Sequence, residues 1–439
     1  MSSLTMRDMS LFVLVAILII GTGYFQGVNT ALTLLNFGLV SAIMSLGVNL
    51  QWGFAGLFNI GVMGFVALGG LAAVLIGMPP TTEAIAEGGG RMALAMTMGA
   101  ATIVGAIVAY RQLAPGRART VAVAGIIVIG FVIYRQLFDP ARDAIEAVNP
   151  AGTGFLGGFG ADGYAMFIAW PAGGLIAAGA AWIIGKTALG LRSDYLAIAT
   201  LGIAEIIIAI LKAEDWLSRG VKNVVGIPRP VSYEVELQAD PSAFMERAAG
   251  FGFDPVVASN LQVRAEWALS FTVVLILLLV LAQLALNSPW GRMMRAIRDN
   301  ETAAEAMGKD VTARHLQIFI LGSAILGMAG AMMTTLDSQL TPAAYQPLRF
   351  TFLIWVMVIV GGSGNNFGAV LGGFVIWFLW IQVEPASAFL LSALTAPLAD
   401  GSALKDHLLD ASAHMRLITM GLVLLVMLRF FPKGLIPER

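Results

Sequence analysis

The chain has few charges and no cysteine. Of its 439 residues, 26 are Lys or Arg and 27 are Asp or Glu. The charged share is 12%, whereas soluble proteins average roughly 25%. Hydrophobic residues make up 58% and the mean hydropathy is +0.82, so the charges are too few to cover a soluble surface. These values exclude a soluble enzyme and a disordered chain, and they indicate a polytopic α-helical membrane protein.

The other scarcities exclude classes of site. Without cysteine there is no disulfide framework, no thiolate nucleophile and no cysteine metal ligand. The three histidines, His315, His407 and His414, lack metal-ligand spacing, so we predict no metal site. The net charge of −1 and the pI of about 6.3 give no broad basic surface for nucleic acid. No constellation of catalytic residues stands out, and we predict a protein that is not an enzyme.

Twelve apolar runs approach the length that crosses the roughly 30 Å hydrocarbon core of a bilayer. They lie at about 10–27, 30–50, 54–77, 92–110, 120–138, 164–185, 194–211, 267–286, 316–335, 350–362, 367–382 and 413–431. The first has no convincing cleavage site and is predicted to be an uncleaved span. The runs near 54–77 and 350–382 are rich in glycine or short, and either could be broken. We therefore predict a single all-α transmembrane domain over 1–439.

Basic residues in the short connections predict the orientation. With twelve spans, all of these connections and both termini fall on one side, which we predict to be cytoplasmic. The residues are Arg111, Arg117, Arg119, Lys186, Arg192, Arg292, Arg295, Arg298, Lys309, Arg314, Arg429, Lys433 and Arg439. The loop 212–266 then lies on the extracytoplasmic side.

The connection 287–315 has the most informative sequence. Ser288 and Pro289 are typical of a helix start, and Gly308 is typical of a helix end. Apolar residues recur at helical spacing, and three arginines recur on another face that we expect to be exposed. The apolar set is Met293, Ile297, Ala304 and Met307, and the basic set is Arg292, Arg295 and Arg298. The pattern predicts a short amphipathic helix or a helix–turn–helix. It either docks into a groove of a partner or only fixes topology and contacts lipid headgroups.

The stretch Ala304–Glu305–Ala306–Met307–Gly308 resembles the EAA loop of bacterial ABC importer permeases. More specifically, the chain is similar to LivM-type permeases for branched-chain amino acids. Four stretches carry the resemblance: NLQWGFAGLFNIGVMGFVALGG (49–70), DYLAIATLGIAEI (194–206), GRMMRAIRDNETAAEAMGKDV (291–311) and GGSGNNFGAVLGG (361–373). The segment 81–160 departs from the family core, because it adds two spans whose even number preserves the downstream orientation.

This resemblance implies one membrane half of an ATP-driven importer that works by alternating access. The implied partners are two cytoplasmic ABC ATPases, a second permease in a heterodimer, an extracytoplasmic binding protein and the lipid of the bacterial cytoplasmic (inner) membrane. The implied ATPase-coupling loop comprises Arg292, Arg295, Arg298, Glu305, Ala306 and Gly308. The chain itself would bind no cofactor, and Mg-ATP would bind the partner ATPases. Lys186-Thr187 does not form a phosphate-binding loop, because the required glycine at position 180 is Ala180.

Polar residues within the spans are candidates for the translocation path. Asn49, Gln51 and Asn59 lie among glycines, which either line a cavity or pack closely against neighbouring helices. Glu205 is the one acidic residue deep in a predicted span. A lone charge in hydrocarbon costs at least about 2.5–3.5 kcal/mol, so we expect Glu205 to face the bundle interior. It would there act in the path or bond a neighbouring helix or Lys212.

Two alternative functions remain open from the sequence. Permeases for urea or short amides share the same motifs, so the motifs do not decide the substrate. A stand-alone ion-coupled secondary transporter is the other alternative. It would need intramembrane ionisable groups but no amphipathic helix at 288–308.

Overall fold

A computed structural model of the chain describes residues 5–148, 155–191, 193–239, 244, 246–250, 252, 254–398 and 402–438. Parts of the predicted segments 81–160 and 212–266, together with Arg192 and Arg439, lie outside these residues. The long helices on the amino-terminal side are α1 (Met6–Gln26), α2 (Val28–Ala55), α3 (Val62–Gly77), α4 (Thr82–Gln112), α5 (Arg117–Ala147), α6 (Met166–Ala188) and α7 (Ser193–Ala213).

The carboxy-terminal part continues with α8 (Pro255–Asn287), α9 (Pro289–Asp299), α10 (Glu301–Ala306), α11 (Val311–Asp337), α12 (Pro347–Gly361), α13 (Asn366–Thr395) and α14 (Met415–Phe430). Shorter helices lie at Asp215–Ser218, Glu234–Ala239, Glu246–Gly250 and Ala403–Asp410. Two short strands, β1 (Val224–Val225) and β2 (Gln339–Leu340), pair antiparallel, with Val224 opposite Leu340.

Each of the twelve predicted apolar runs corresponds to a helix. In the part of the chain that the structure describes, nine helices are long and apolar enough to cross a membrane. A tenth span results if Ala403–Asp410 and Met415–Phe430, which meet at 60°, are taken together. The apolar helices α3 and α12 are shorter, with 16 and 15 residues. The all-α polytopic bundle is thus confirmed, and the span count depends on these short and bent helices.

Small residues bring the central helices of the bundle together. Helix α11 lies at the centre and packs against α6, α3 and α2. A Cβ added at Gly69 would lie 1.8 Å from the Gly327 carbonyl oxygen, and one added at Gly330 would lie 2.0 Å from that of Val66. Membrane helices associate through such close packing, because lipid removes the hydrophobic drive between them. Close packing through small residues therefore holds α3 against α11.

Hydrogen bonds tie the helix ends together on each side of the bundle. The carboxy-terminal tail donates from Leu435 N to Val360 O and from Ile436 N to Gly361 O, both at 2.9 Å. Arg7 Nη2 also donates to Leu435 O at 3.4 Å. We name this side, defined by α9, the turn 362–365 and the tail 432–438, the basic side. Contacts with the tail bring Arg7, Arg298 and Asn365 to this side. Its orientation in a membrane remains a prediction.

The opposite side is held by the strand pair and by bonds between loops. Gly226 N donates to Ser338 O at 3.0 Å, beside β1 and β2. Leu156 N donates to Trp216 O at 3.0 Å. The described part of the predicted extracytoplasmic loop therefore packs on the end of α11 that is farthest from the basic side.

Helices α4 and α5 form a hairpin at the edge of the bundle. They pack mainly against each other. Only 17% of the apolar stretch of α4 and 6% of that of α5 are buried. A small cluster that includes Phe138 reaches the rest of the chain at Trp216, with ring centroids 5.9 Å apart. The two helices expected in segment 81–160 are thus peripheral, and their status as an insertion remains a prediction.

We expect Gly69→Ala to lower the free energy of unfolding by about 1–3 kcal/mol, because the added methyl group overpacks the contact with Gly327. Gly179→Ala on α6 is the matched control, since nothing lies within 4 Å of the added Cβ. Thermal unfolding of both variants in detergent measures the difference. Equal melting temperatures for the two variants would contradict the close approach of α3 and α11.

Candidate functional site

The helical path is interrupted between α2 and α3, at the basic side. Gly56 ends α2 with φ +69°, and residues 56–61 are not helical. Peptide groups at this position need partners from the protein. Trp355 Nε1 donates to Asn59 O at 3.0 Å, and Thr200 Oγ1 accepts from Ile60 N at 3.1 Å. Asn59 Oδ1 accepts from Gly61 N at 2.8 Å, so side chains of the bundle hold this interruption in place.

Gln51 connects the interruption to the central helix. Its Oε1 accepts from Asn59 Nδ2 at 2.9 Å. Its Nε2 donates to Phe319 O and to Ser323 Oγ, both at 3.0 Å. Gln51, Asn59 and Ser323 are all buried. Any displacement of 56–61 would therefore break hydrogen bonds to α11.

A second interruption lies beside the first. Helix α12 ends at Gly361, and the turn 362–365 precedes α13, as the glycine-rich sequence predicts. Asn49 of α2 bonds both the turn and the start of α13. Its Oδ1 accepts from Gly364 N at 2.9 Å, and its Nδ2 donates to Asn366 Oδ1 at 3.0 Å. Short helices next to interruptions are the best sequence-level pointer to a transport site.

The structure brings together three of the four predicted path residues. Asn49, Gln51 and Asn59 are buried, and their amides bond to protein groups. A direct role in a path therefore remains a prediction, whereas a structural role at the two interruptions is visible. Sequence reasoning missed Trp355 and Thr200. Their only signal is a polar group within an apolar span, which is too common to single them out.

An aromatic cluster covers the first interruption. Trp52 lies 5.1 Å from Trp355 and 5.5 Å from Phe58, measured between ring centroids, and Phe58 lies 4.8 Å from Trp355. The cluster joins the end of α2, the interruption and α12. Its three rings form an apolar closure next to the basic side.

A cavity of about 220 Å³ extends from this region toward the opposite side. Met63 and Met357 line it near the aromatic cluster, and Asp337 and Ala344 line it at the other end. Most of its remaining wall is apolar and comes from α2, α12 and α13. The arrangement can hold a small apolar solute above a closed, interrupted segment.

The connection after α8 forms two helices, α9 and α10, as predicted. Its apolar stripe is used internally, because Ile297, Ala304 and Val311 form a buried cluster with Met293 packed against it. Ile297 and Ala304 are therefore not available for docking on a partner. Met307 is 79% exposed, and it is the apolar member of the predicted stripe that remains free for docking.

The coupling-loop residues differ in exposure. Glu305, Ala306 and Gly308 are exposed, and Gly308 has φ +74°. Arg292 is exposed and Arg295 is half-buried. The surface of α10 and Arg292 on α9 are thus accessible parts of the loop.

Arg298 does not lie on an exposed face, contrary to the sequence-based expectation. Its guanidinium donates to Gly53 O and to Glu438 Oε2, the latter at 2.9 Å, and also bonds Asp299 at 3.1 Å. Burial disfavours its charge, but the bonds to Glu438 and Asp299 outweigh burial and raise the pKa of Arg298. Arg298 therefore links α9 directly to the end of α2 and to the carboxy-terminal tail.

Glu205 is exposed on α7, and the expectation that it faces the interior of this bundle is wrong. In the described residues its carboxylate makes neither a hydrogen bond nor an ion pair, with Lys212 or otherwise. On the same face, Gly202 has no neighbour within 4 Å of an added Cβ. Because an isolated carboxylate in lipid is costly, this face needs a polar environment that the chain alone does not provide.

These features are those of a polytopic α-helical membrane protein with interrupted helices, an apolar cavity and a loop helix that carries three arginines. Residues 30–148 and 144–428 match the family model described as "Branched-chain amino acid transport system / permease component". The chain therefore belongs to this permease family. No solved structure matches it.

Named relatives agree with this family. The chain is 27% identical over 217 residues to the high-affinity branched-chain amino acid transport system permease protein LivM of Salmonella typhimurium, covering 48% of this chain and 49% of that protein. The chain thus spans about half the length of the curated relatives it matches. In Methanocaldococcus jannaschii, probable LivM is 28% identical, covering 39% of this chain and 47% of that protein. Probable LivH of that organism is 33% identical, covering 24% and 32%.

We expect Asn49→Ala to destabilise the protein by about 1–3 kcal/mol, because Gly364 N and Asn366 would lose a buried partner. Asn287→Ala, at an exposed position at the end of α8, is the control. Thermal unfolding in detergent compares the variants. A melting temperature for Asn49→Ala that equals the control would show that the turn 362–365 does not depend on this amide.

Proposed function

We propose that the chain is one permease subunit of an ATP-driven ABC importer for Leu, Ile, Val or related apolar amino acids. Membership of the permease family and the names of the relatives support this substrate class. The observation that carries the coupling is the attachment of α9 to Gly53 through Arg298. A loop outside the bundle is thereby connected to the helix end that precedes the interruption.

The mechanism follows from this attachment. One of two ABC ATPases docks on the exposed surface around Glu305 and Met307, the other docks on the second permease, and both bind Mg-ATP, while this chain binds no cofactor. When they close, α9 moves and Arg298 carries the motion to the end of α2 and to Glu438. The interruptions at 56–61 and 362–365 then shift together, because α2 leads directly into the first at Gly56 and holds the second through Asn49. Separation of the Trp52, Phe58 and Trp355 rings opens the cavity to the basic side, which is alternating access.

The remaining partners occupy other surfaces. A second permease covers the Glu205 face of α7, which supplies the polar environment that the carboxylate lacks. The pairing of LivM and LivH names in one archaeon supports two different permease chains. An extracytoplasmic binding protein delivers substrate to 212–266, and the basic side faces the cytoplasm across a bacterial inner membrane.

Uptake into proteoliposomes tests the function. The permease pair, the ATPases and the binding protein are reconstituted together, and radiolabelled leucine uptake is measured with ATP inside. We expect uptake that requires internal ATP and persists when proton and sodium gradients are collapsed. Uptake by the permease alone that follows an ion gradient would contradict the proposal and favour a secondary transporter.

We expect Arg298→Gln to uncouple ATP hydrolysis from transport. The variant loses charge-assisted bonds to Gly53 and Glu438, each worth about 1.5–3 kcal/mol. Leucine transported per ATP hydrolysed should therefore fall about tenfold or more, while the ATPases still bind. Arg111→Gln, an exposed charge in the last turn of α4, is the control and should behave as the wild type. An unchanged ratio for Arg298→Gln would contradict the coupling route.

We expect Glu205→Leu to keep normal membrane insertion and to lower leucine uptake about tenfold, a loss of about 1.4 kcal/mol. If Glu205 faced lipid, removing its charge would favour insertion and leave uptake intact. Ile206→Leu, at the neighbouring exposed position, is the control. Co-purification of the second permease with each variant distinguishes loss of the partner from loss of transport. Wild-type uptake by Glu205→Leu would contradict the proposed partner surface.

A further inference from the structure

Two cavities meet at one carboxylate on the side opposite the basic side. The apolar cavity of about 220 Å³ and a second, polar cavity of about 150 Å³ both include Phe37 and Asp337 in their walls. The polar cavity is also lined by Arg229, Glu234 and Arg264. Each cavity is smaller than the roughly 300–1,000 Å³ pockets of drug-sized ligands. Together they suit a solute the size of an amino acid, with an apolar part and a charged part.

Two of the four charges in the polar cavity neutralise each other. Arg229 and Glu234 form an ion pair, and the Arg229 guanidinium also lies 4.4 Å from the Tyr233 ring centroid. Burial disfavours the charge of Glu234, but the hydrogen bond from Arg229, together with the nearby positive charge of Arg264, outweighs burial and lowers the pKa of Glu234. This pair is therefore a fixed part of the wall.

The other two charges have no ion-pair partner among the described residues. Arg264 donates to the Thr33 hydroxyl and contacts no carboxylate within salt-bridge distance. Asp337 makes no hydrogen bond, although it is exposed to both cavities. A third polar group lacks a hydrogen-bond partner. Asn36 lines the polar cavity and is 1% exposed, and its Oδ1 accepts no hydrogen bond from the described residues.

An α-amino acid has three features that diverge from one carbon: an ammonium group, a carboxylate and a side chain. A matching site must offer an anion and acceptors, a cation and a pocket of the right polarity, all meeting at one point. We propose that the two cavities form a binding site for an α-amino acid with an apolar side chain. The ammonium group bonds Asp337 and Asn36 Oδ1, the carboxylate pairs with Arg264, and the side chain enters the apolar cavity.

This inference rests on the proposed function and refines it. Urea and short amides have neither the two opposite charges nor a branched side chain, so they would leave Asp337 and Arg264 unpaired. Leaving charged groups desolvated and unpaired is costly. The site therefore favours amino acids over the amide substrates that the sequence motifs left open.

Protection of an introduced thiol tests the site. The chain contains no cysteine, so labelling of this subunit has no background. Ala344 lines the apolar cavity, whereas its exposed neighbour Ala343 does not. In the assembled importer without binding protein, we expect leucine to slow maleimide labelling of Ala344→Cys and to leave that of Ala343→Cys unchanged. 4-Methylpentanoate, which lacks the ammonium group, and 3-methylbutylamine, which lacks the carboxylate, should not protect.

Charge variants identify the groups that bind. In the Ala344→Cys background, Asp337→Asn and Arg264→Gln should each raise the half-protecting leucine concentration at least about tenfold. Asp162→Asn, an exposed carboxylate on the same side that lines neither cavity, should leave it unchanged. The labelling rate without leucine checks that each variant keeps the cavity, and Asp337→Glu should restore part of the protection.

The outcomes separate the two proposals. If the importer takes up leucine with ATP but leucine never protects Ala344→Cys, the site is wrong and the function stands. If leucine protects Ala344→Cys at the same concentration in both charge variants as without them, the assigned roles of Asp337 and Arg264 are wrong. If the reconstituted importer shows no ATP-dependent uptake of any apolar amino acid, the proposed function fails, whatever the labelling shows.

Discussion

The structure depends on one constraint: a peptide group inside a bilayer must find its hydrogen bond within the protein. Helices meet it automatically, and an interrupted helix does not. The non-helical segment 56–61 and the turn 362–365 meet it through side chains, chiefly Gln51, Asn59 and Asn49. Asn49 and Gln51 both lie on α2, so the two interruptions are attached to the same helix. A displacement of the end of α2 would therefore act on both interruptions.

The positions of the charged residues are subject to the same constraint, because a charge in an apolar environment also needs a partner. Arg298 is tied to Gly53 and to the tail, which brings a loop outside the bundle into contact with the interrupted segment. Asp337 and Arg264 lie at cavities on the opposite side, and Glu205 lies on an outer face of α7. We propose that Arg298 transmits motion from an ATPase, that Asp337 and Arg264 bind a solute, and that Glu205 contacts a neighbouring subunit.

Much of the fold could be predicted from the sequence, because hydropathy alone locates helices that lie in lipid. The twelve apolar runs, the helix pair at 289–306 and the glycine-rich turn after Gly361 all have strong local signals. The partners of these elements could not be predicted. The exposure of Glu205 and the partial burial of Arg298 depend on which helices are neighbours. Apolar periodicity is a weak signal for this when both lipid and protein are apolar. The cavity residues Asp337 and Arg264 lie far apart in sequence, and no motif joins them.

Hydrogen–deuterium exchange in the assembled importer, with and without ATP, measures the central claim directly. If the interruption at 56–61 is the moving element, its amides, including Ile60 N and Gly61 N, should exchange faster when ATP binds. This response should disappear in Arg298→Gln, while exchange in the middle of α11 stays unchanged. If exchange at 56–61 does not change with ATP while the assembled importer still transports leucine, the claim that α9 moves this segment is contradicted.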